Sequence, residues 1–85
     1  MKTFNDLEFK PWYGGGKHAI LYFDNDYGVC VLFGENYYSN GIDTYELAVL
    51  RHGLICYDTE ITNDVLGYLT KEEVTNVMLK LQSYD

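Results

Sequence analysis

Residues 70–81 read TKEEVTNVMLKL, and this stretch decides the fold. Thr70 and Glu73 have the spacing of a capping box, in which each side chain accepts a hydrogen bond from the backbone amide of the other residue. Leu69 and Val74 occupy the two positions of a hydrophobic staple, which fixes the direction in which the chain enters a helix. The sequence therefore predicts that an α-helix begins just after Thr70.

The apolar residues of this helix recur with helical spacing and form one stripe. The stripe consists of Val74, Val77, Met78 and Leu81. Leu79 is the one apolar residue off the stripe, and the pattern predicts a helix over residues 71–83. Because an isolated helix of this length is marginal in water, we expect the stripe to pack against other elements.

Upstream of the helix, short apolar and aromatic runs alternate with clusters of turn-forming residues, which is typical of β-strands. The predicted strands cover residues 7–12, 18–23, 29–33, 44–50 and 54–57. Short connections favour antiparallel pairing of consecutive strands. The sequence therefore predicts a single α+β domain over residues 1–85, in which an antiparallel β-meander of four to five strands packs against one C-terminal α-helix.

Two connections are predicted in more detail. The triple glycine of residues 14–16 indicates a flexible loop. The run Thr62-Asn63-Asp64 can cap a short helical turn over residues 65–68.

Charge narrows the classes of function. Thirteen acidic residues against six basic ones give a formal net charge of −7. Direct nucleic-acid binding needs basic groups that displace counterions from phosphates, so this charge disfavours it. An anionic membrane would repel the negatively charged chain in the same way. We expect a partner protein with a basic surface, although an acidic balance also serves solubility alone.

The N-terminal sequence and the cysteine content both favour the same cellular compartment. The first residues lack the apolar core of a signal peptide, and no apolar run reaches the ~20 residues of a membrane span. Cys30 and Cys56 form no CxxC pair, and we expect them to behave as small apolar residues. These observations predict a cytoplasmic protein.

Three patterns resemble catalytic or metal-binding sequences, and each lacks an essential part. Gly14-Gly15-Gly16-Lys17 is followed by histidine rather than the serine or threonine of a phosphate loop. The turn at residues 24–28 begins like a calcium loop, but Val29 stands where that loop requires glycine. His18 and His52 show no motif spacing with either cysteine. We therefore predict no enzyme activity, no catalytic residue, no metal and no cofactor.

The aromatic content is the strongest feature outside the fold, with nine tyrosines, four phenylalanines and one tryptophan. Most of them suit half-buried sheet positions, but two pairs lie in predicted loops, where tyrosine and tryptophan near carboxylates are typical of interface anchors. The predicted protein-interaction residues are Trp12, Tyr13, Asp24, Asp26, Glu35, Tyr37, Tyr38 and Asp43.

Several stretches of the chain carry a resemblance beyond these patterns. They are Lys10-Pro11, Asp26-Tyr27-Gly28-Val29, the strand at residues 45–50, Cys56-Tyr57-Asp58-Thr59 and residues 61–70. Over residues 7–81 the sequence resembles small, mostly uncharacterised proteins of bacteriophages and other mobile elements. The resemblance rests on strand, turn and cap residues, so it carries no catalytic residue to this chain.

The resemblance implies a function by analogy of class. Small acidic phage proteins include inhibitors of host defence, anti-CRISPR proteins among them, and a rigid acidic protein can occupy a basic nucleic-acid channel. The expectation is therefore a phage or mobile-element protein that binds and inhibits a basic host protein, such as a CRISPR effector or another nuclease. The alternative is a structural or self-associating accessory module, in which an open sheet edge pairs with a second copy as a homodimer.

Overall fold

A computed structural model of the chain describes residues 1–55 and 65–84. Its single α-helix, α1, covers Lys71–Gln82. The capping box is confirmed: Thr70 Oγ1 accepts from the amide of Glu73 at 3.2 Å, and Glu73 Oε1 accepts from the amide of Thr70 at 3.0 Å. The helix ends one residue before the predicted limit, with Ser83 as its C-cap.

The described strands form one antiparallel sheet, which confirms the predicted fold class. The strands are β1 (Lys10–Pro11), β2 (Lys17–Tyr22), β3 (Tyr27–Phe33), β4 (Tyr45–Arg51), β5 (Leu54–Ile55) and β6 (Leu66–Leu69). Consecutive strands from β1 to β4 are neighbours, and β5 and β6 both pair with β4. The predicted end of the fifth strand, residues 56–57, lies outside the described residues, as does Cys56.

The helix covers one face of the sheet and completes the core. Val29 pairs with Val49 across β3 and β4, and Val31 pairs with Leu47, so these four side chains share a face. Val74, Met78 and Leu81 of the predicted stripe are fully buried against that face, and Val77 packs at its margin. Each fully buried aliphatic side chain contributes about 1.5–3 kcal/mol to folding, which explains why the stripe and the sheet require each other.

The N-terminal segment differs from its prediction. Residues 7–12 were predicted as a strand, but only Lys10–Pro11 pairs with β2, and a 3-10 turn covers Phe4–Asp6. The alternating apolar residues here pack against the core instead of forming a long ladder. Pro11 has no backbone N–H to donate, which suits the edge position of β1.

The second correction concerns residues 65–68, which were predicted as a helical turn. They contribute instead to β6, whose Leu66 pairs with Leu47 and whose Leu69 pairs with Tyr45, with a register irregularity between them. The free edge of β4 offers backbone hydrogen-bonding groups that must be satisfied, and a local helical turn would leave them unpaired. The proposed cap at residues 62–64 lies outside the described part of the chain.

The triple glycine forms a defined turn between β1 and β2. A 3-10 turn covers Tyr13–Gly15, and Gly14 and Gly15 both have positive φ, at 75° and 78°. Glycine adopts this left-handed region without the steric cost that a side chain brings. The connection from β1 to β2 is therefore a tight turn that depends on its glycines.

Candidate protein-interaction surface

Two loops meet at one end of the sheet because of the strand register. Pro11 pairs with Lys17 and Lys17 pairs with Phe33, so the end of β1, the start of β2 and the end of β3 lie side by side. The loop of residues 12–16 and the loop of residues 34–44 start from these positions. We call these two loops together the aromatic end.

Hydrogen bonds fix the two loops to each other. The hydroxyl of Tyr37 donates to the carbonyl oxygen of Tyr13, and Asn36 Nδ2 donates to the carbonyl oxygen of Gly14 at 2.7 Å. A Cβ atom on Gly16 would lie 2.6 Å from the ring of Tyr37 and 2.5 Å from the carbonyl oxygen of Phe33. The loops are therefore in direct contact with each other.

The second loop is also organised internally, around Asn40. The side-chain oxygen of Asn40 accepts from the backbone amides of Ile42 at 2.8 Å, Asp43 at 2.9 Å and Thr44 at 3.1 Å. The hydroxyl of Ser39, which is buried, donates to the carbonyl oxygen of Thr44 at 2.6 Å. Side chains of this kind replace a backbone turn and hold a loop in one shape.

Aromatic side chains project from this fixed backbone into solvent. Tyr13 is 78% exposed, Tyr38 is 58% exposed and Trp12 is 44% exposed. The indole of Trp12 lies against His18, with ring centroids 3.8 Å apart, and against Tyr13, at 4.8 Å. Because their backbones are already ordered, these rings can bind a partner with a small loss of conformational entropy.

Tyr68 extends this surface and was not among the predicted site residues. It is 59% exposed, and its backbone amide donates to the carbonyl oxygen of Tyr38 at 2.8 Å. Its φ of 55° places it in the left-handed region, within the irregular register of β6. Sequence reasoning missed Tyr68 because it predicted a helical turn here and therefore left this residue out of the sheet.

Carboxylates lie near the exposed rings, and one of these carboxylates, that of Glu46, was not among the predicted site residues. Glu35 and Asp43 are exposed at the aromatic end, and Asp43 Oδ1 accepts from Asn40 Nδ2 at 2.7 Å. Glu46, on β4, accepts from the backbone amide of Tyr38 at 3.0 Å. The two-residue period of a β-strand was the available signal for Glu46, because it places this residue on the face opposite Tyr45, Leu47 and Val49.

Asp24 and Asp26 lie at the opposite end of the sheet, in the turn between β2 and β3. Roughly 20 Å of β-strand separates this turn from the aromatic end. Asn25 fixes the turn to the end of the helix, since its Nδ2 donates to the carbonyl oxygens of Leu81 at 2.8 Å and Tyr84 at 3.0 Å. Asp26 faces His52, with Oδ2 and Nδ1 3.9 Å apart. Six predicted site residues are therefore brought to one end, and these two are not.

The described histidines and cysteine form no obvious reaction centre. Cys30 is a free thiol on the sheet face away from the helix, and it is half-buried. Burial raises the pKa of its thiol, and the charge of Glu46 raises this pKa further, so the nucleophilic thiolate is disfavoured. Within residues 1–55 and 65–84, no group of three or more histidine, cysteine or acidic side chains is placed to hold a metal ion.

Comparisons with known proteins leave the family open. No protein-family model matches this chain, and neither a curated protein nor a solved structure matches it significantly. In the described part of the chain, the helical segments are too short or too polar to cross a membrane.

Proposed function

We propose that this chain binds a protein with a basic surface through its aromatic end, and inhibits that protein by covering the surface. The observation that carries this proposal is the exposure of Trp12, Tyr13, Tyr38 and Tyr68 on backbone that hydrogen bonds hold in place. Rigid tyrosine and tryptophan side chains contribute most of the affinity at many protein interfaces.

Charge supports the choice of a basic partner. The formal net charge is −7, and Glu35, Asp43 and Glu46 accompany the exposed rings. An electrostatic field of this sign raises the rate of encounter with a basic surface, and salt screens it. Lys17 also lies at this end, so the rings rather than a uniform negative patch supply the specific contact.

The partner that we propose is a nucleic-acid-binding protein of a bacterial host, such as a CRISPR effector or another nuclease, in the host cytoplasm. Such proteins expose basic channels for phosphate backbones, and an acidic protein competes for them. The resemblance of residues 7–81 to proteins of bacteriophages and mobile elements supports this choice. Inhibition follows from the same contact, because a covered channel cannot admit nucleic acid.

Affinity capture from bacterial lysate tests the binding step. The bait is the whole chain, compared with a Tyr13→Ser/Tyr38→Ser double variant and with Tyr22→Ser, which alters an exposed tyrosine at the far end of β2. We expect one basic protein to be retained at about 0.05 M salt and released at about 0.5 M. The double variant should bind the partner about 30-fold more weakly, since two interface tyrosines at about 1 kcal/mol each contribute about 2 kcal/mol together. Equal retention by the double variant would refute the proposed surface.

Inhibition is tested separately, in cells that carry an active CRISPR system and receive a targeted plasmid. Expression of the chain should raise plasmid survival, and expression of the double variant should not. If the basic protein is captured but plasmid survival stays unchanged, the binding proposal stands and the inhibitory one fails.

The sheet face away from the helix favours a second candidate function, self-association. Ile20 and Tyr22 alternate with the core residues of β2 and are 54% and 45% exposed. Ile55, which pairs with Leu50 on the same face of the sheet, is 48% exposed. Two copies that each carry a net charge of −7 repel, so salt should strengthen such a dimer. Sedimentation at several protein and salt concentrations distinguishes the two functions, because salt weakens the contact with a basic partner.

A further inference from the structure

A small cleft opens between the N-terminal segment and the sheet, on the same side as the helix. It has a volume of about 200 Å³ and is lined by Phe4, Phe9, Lys17, Phe33 and Tyr45. Lys17, Phe33 and Tyr45 stand at the strand ends next to the aromatic end. The exposed rings described above belong to the loops, so this cleft is a separate feature.

The walls of the cleft are aromatic rings arranged around Tyr45. The ring centroid of Tyr45 lies 5.0 Å from Phe4, 5.7 Å from Phe9 and 5.1 Å from Phe33. These separations are typical of stable aromatic pairs, and Tyr45 itself is only 8% exposed. The walls are therefore preformed, and a flat apolar group can contact several rings at once.

Aromatic walls alone often hold a cation, but the charges here oppose one. Lys71 Nζ already lies over the ring of Phe4, 5.6 Å from its centroid, and Lys17 lines the cleft. Among the described residues, none that lines the cleft carries a carboxylate. The nearest acidic neighbour of Tyr45 on the loop is Asp43, which acts on Tyr45 electrostatically and accepts a hydrogen bond from Asn40. A further cation in the cleft would be repelled by these two lysines, whereas an anion would be attracted to them.

The volume limits the ligand to one ring. Sites for drug-sized molecules measure about 300–1,000 Å³, so about 200 Å³ suits a single phenyl group and its substituent. We propose that the cleft binds a small aromatic carboxylate, with its ring against Phe4, Phe9 and Tyr45 and its carboxylate at the amine of Lys17. This site is independent of the proposed inhibitory function. The same chemistry is presented by a free aromatic acid and by a C-terminal phenylalanine.

The first experiment titrates the ¹⁵N-labelled chain with ligands that share a ring and differ in charge, and follows the amide signals. Phenylacetate should shift the amides of Lys17, Phe33 and Tyr45, with a dissociation constant on the order of 10 mM for so few atoms. Benzyl alcohol should bind more weakly, and benzylamine more weakly still. Failure of phenylacetate to shift these amides, or benzylamine binding as tightly as phenylacetate, would overturn the proposal.

A second pair of ligands distinguishes the two sources of this chemistry. N-acetylphenylalanine represents a peptide C-terminus. N-acetylphenylalanine amide has the same shape but lacks the negative charge of the carboxylate. Tighter binding of N-acetylphenylalanine than of phenylacetate assigns the site to a chain terminus, and weaker binding assigns it to a free acid. If N-acetylphenylalanine and its amide bind equally and phenylacetate binds no better than benzyl alcohol, the carboxylate has no role and the proposal fails.

Two charge-matched variants locate the carboxylate. Lys17→Gln should weaken phenylacetate binding about two- to fivefold, as expected for a solvent-exposed ion pair. Lys2→Gln removes the same charge from a residue outside the cleft and should leave the affinity unchanged. Both side chains are exposed, so both variants should fold, which the amide spectrum itself verifies. Equal effects of the two variants would contradict a specific role for Lys17.

Discussion

At the scale of single residues, the contact between the two loops depends on Gly16. Its backbone conformation is one that any residue adopts, with φ at −94°, but a Cβ would collide with the carbonyl oxygen of Phe33 at 2.5 Å. A backbone atom cannot rotate away, so we expect Gly16→Ala to lower the free energy of unfolding by about 2 kcal/mol or more, as overpacking does. Urea unfolding measures this change.

Gly15→Ala is the control, because nothing lies within 4 Å of its Cβ and only the positive φ is strained. It should cost about 1 kcal/mol, and a larger loss at Gly15 than at Gly16 would contradict the close approach of the loops.

Single-residue signals in the sequence also explain which part of the candidate surface was predictable. Trp12 and Tyr38 were predicted because they stand beside turn-forming residues, and the structure exposes both. Asp24 was grouped with them by residue type alone, and strand direction places it at the other end of the sheet. Tyr68 was missed because its exposure depends on an irregular strand pairing with β4, which is a long-range contact that local patterns do not encode.

At the scale of elements, the helix stripe predicts a difference between two adjacent residues. Met78 is fully buried against the sheet, while Leu79 lies off the stripe and is half-buried. We expect Met78→Ala to lower the free energy of unfolding by about 2–4 kcal/mol, because it leaves a cavity in the core. Leu79→Ala removes a side chain of similar size and should cost about 1 kcal/mol. Chemical denaturation of both variants tests the comparison, and equal losses would show that the helix face is wrongly assigned.

Elements were predictable where local signals and long-range packing agree. The helix had a cap, a staple and a stripe, and β3 and β4 had the apolar pattern that the core requires. β6 failed this test, because Gly67 and the preceding cap-forming residues favour a turn locally, while in the fold Leu66 and Leu69 pair with the free edge of β4. The N-terminal strand failed for a different reason: its apolar alternation is real, but Leu7 and Phe9 pack against the core, and only Lys10 and Pro11 pair with β2.

At the scale of the whole molecule, charge and burial together set the response to alkali. The chain already carries a formal net charge of −7, and every further deprotonation increases repulsion within the folded state. Within residues 1–55 and 65–84, two groups resist that deprotonation in the fold. Burial and the charge of Glu46 raise the pKa of Cys30, and burial and the charge of Asp43 raise the pKa of Tyr45. The fold is therefore expected to lose stability as the pH rises past the ordinary pKa values of a thiol and a tyrosine hydroxyl.

The contribution of Tyr45 gives the sharpest form of this prediction. An unfolded tyrosine titrates near pH 10, and the folded chain holds the Tyr45 proton to a higher pH, so above about pH 10 the folded state binds more protons than the unfolded state. The free energy of unfolding must then fall as the pH rises, whereas below about pH 9 both states are protonated and Tyr45 contributes no pH dependence. Tyr45→Phe removes this titration and should flatten the decline between about pH 9 and about pH 11. Urea unfolding at a series of pH values measures it, with Tyr13→Phe, which removes an exposed hydroxyl, as the matched variant that should retain the wild-type decline. If Tyr45→Phe declines as steeply as the wild type, the alkaline response originates in the net charge and in Cys30, and the buried hydroxyl of Tyr45 has no part in it.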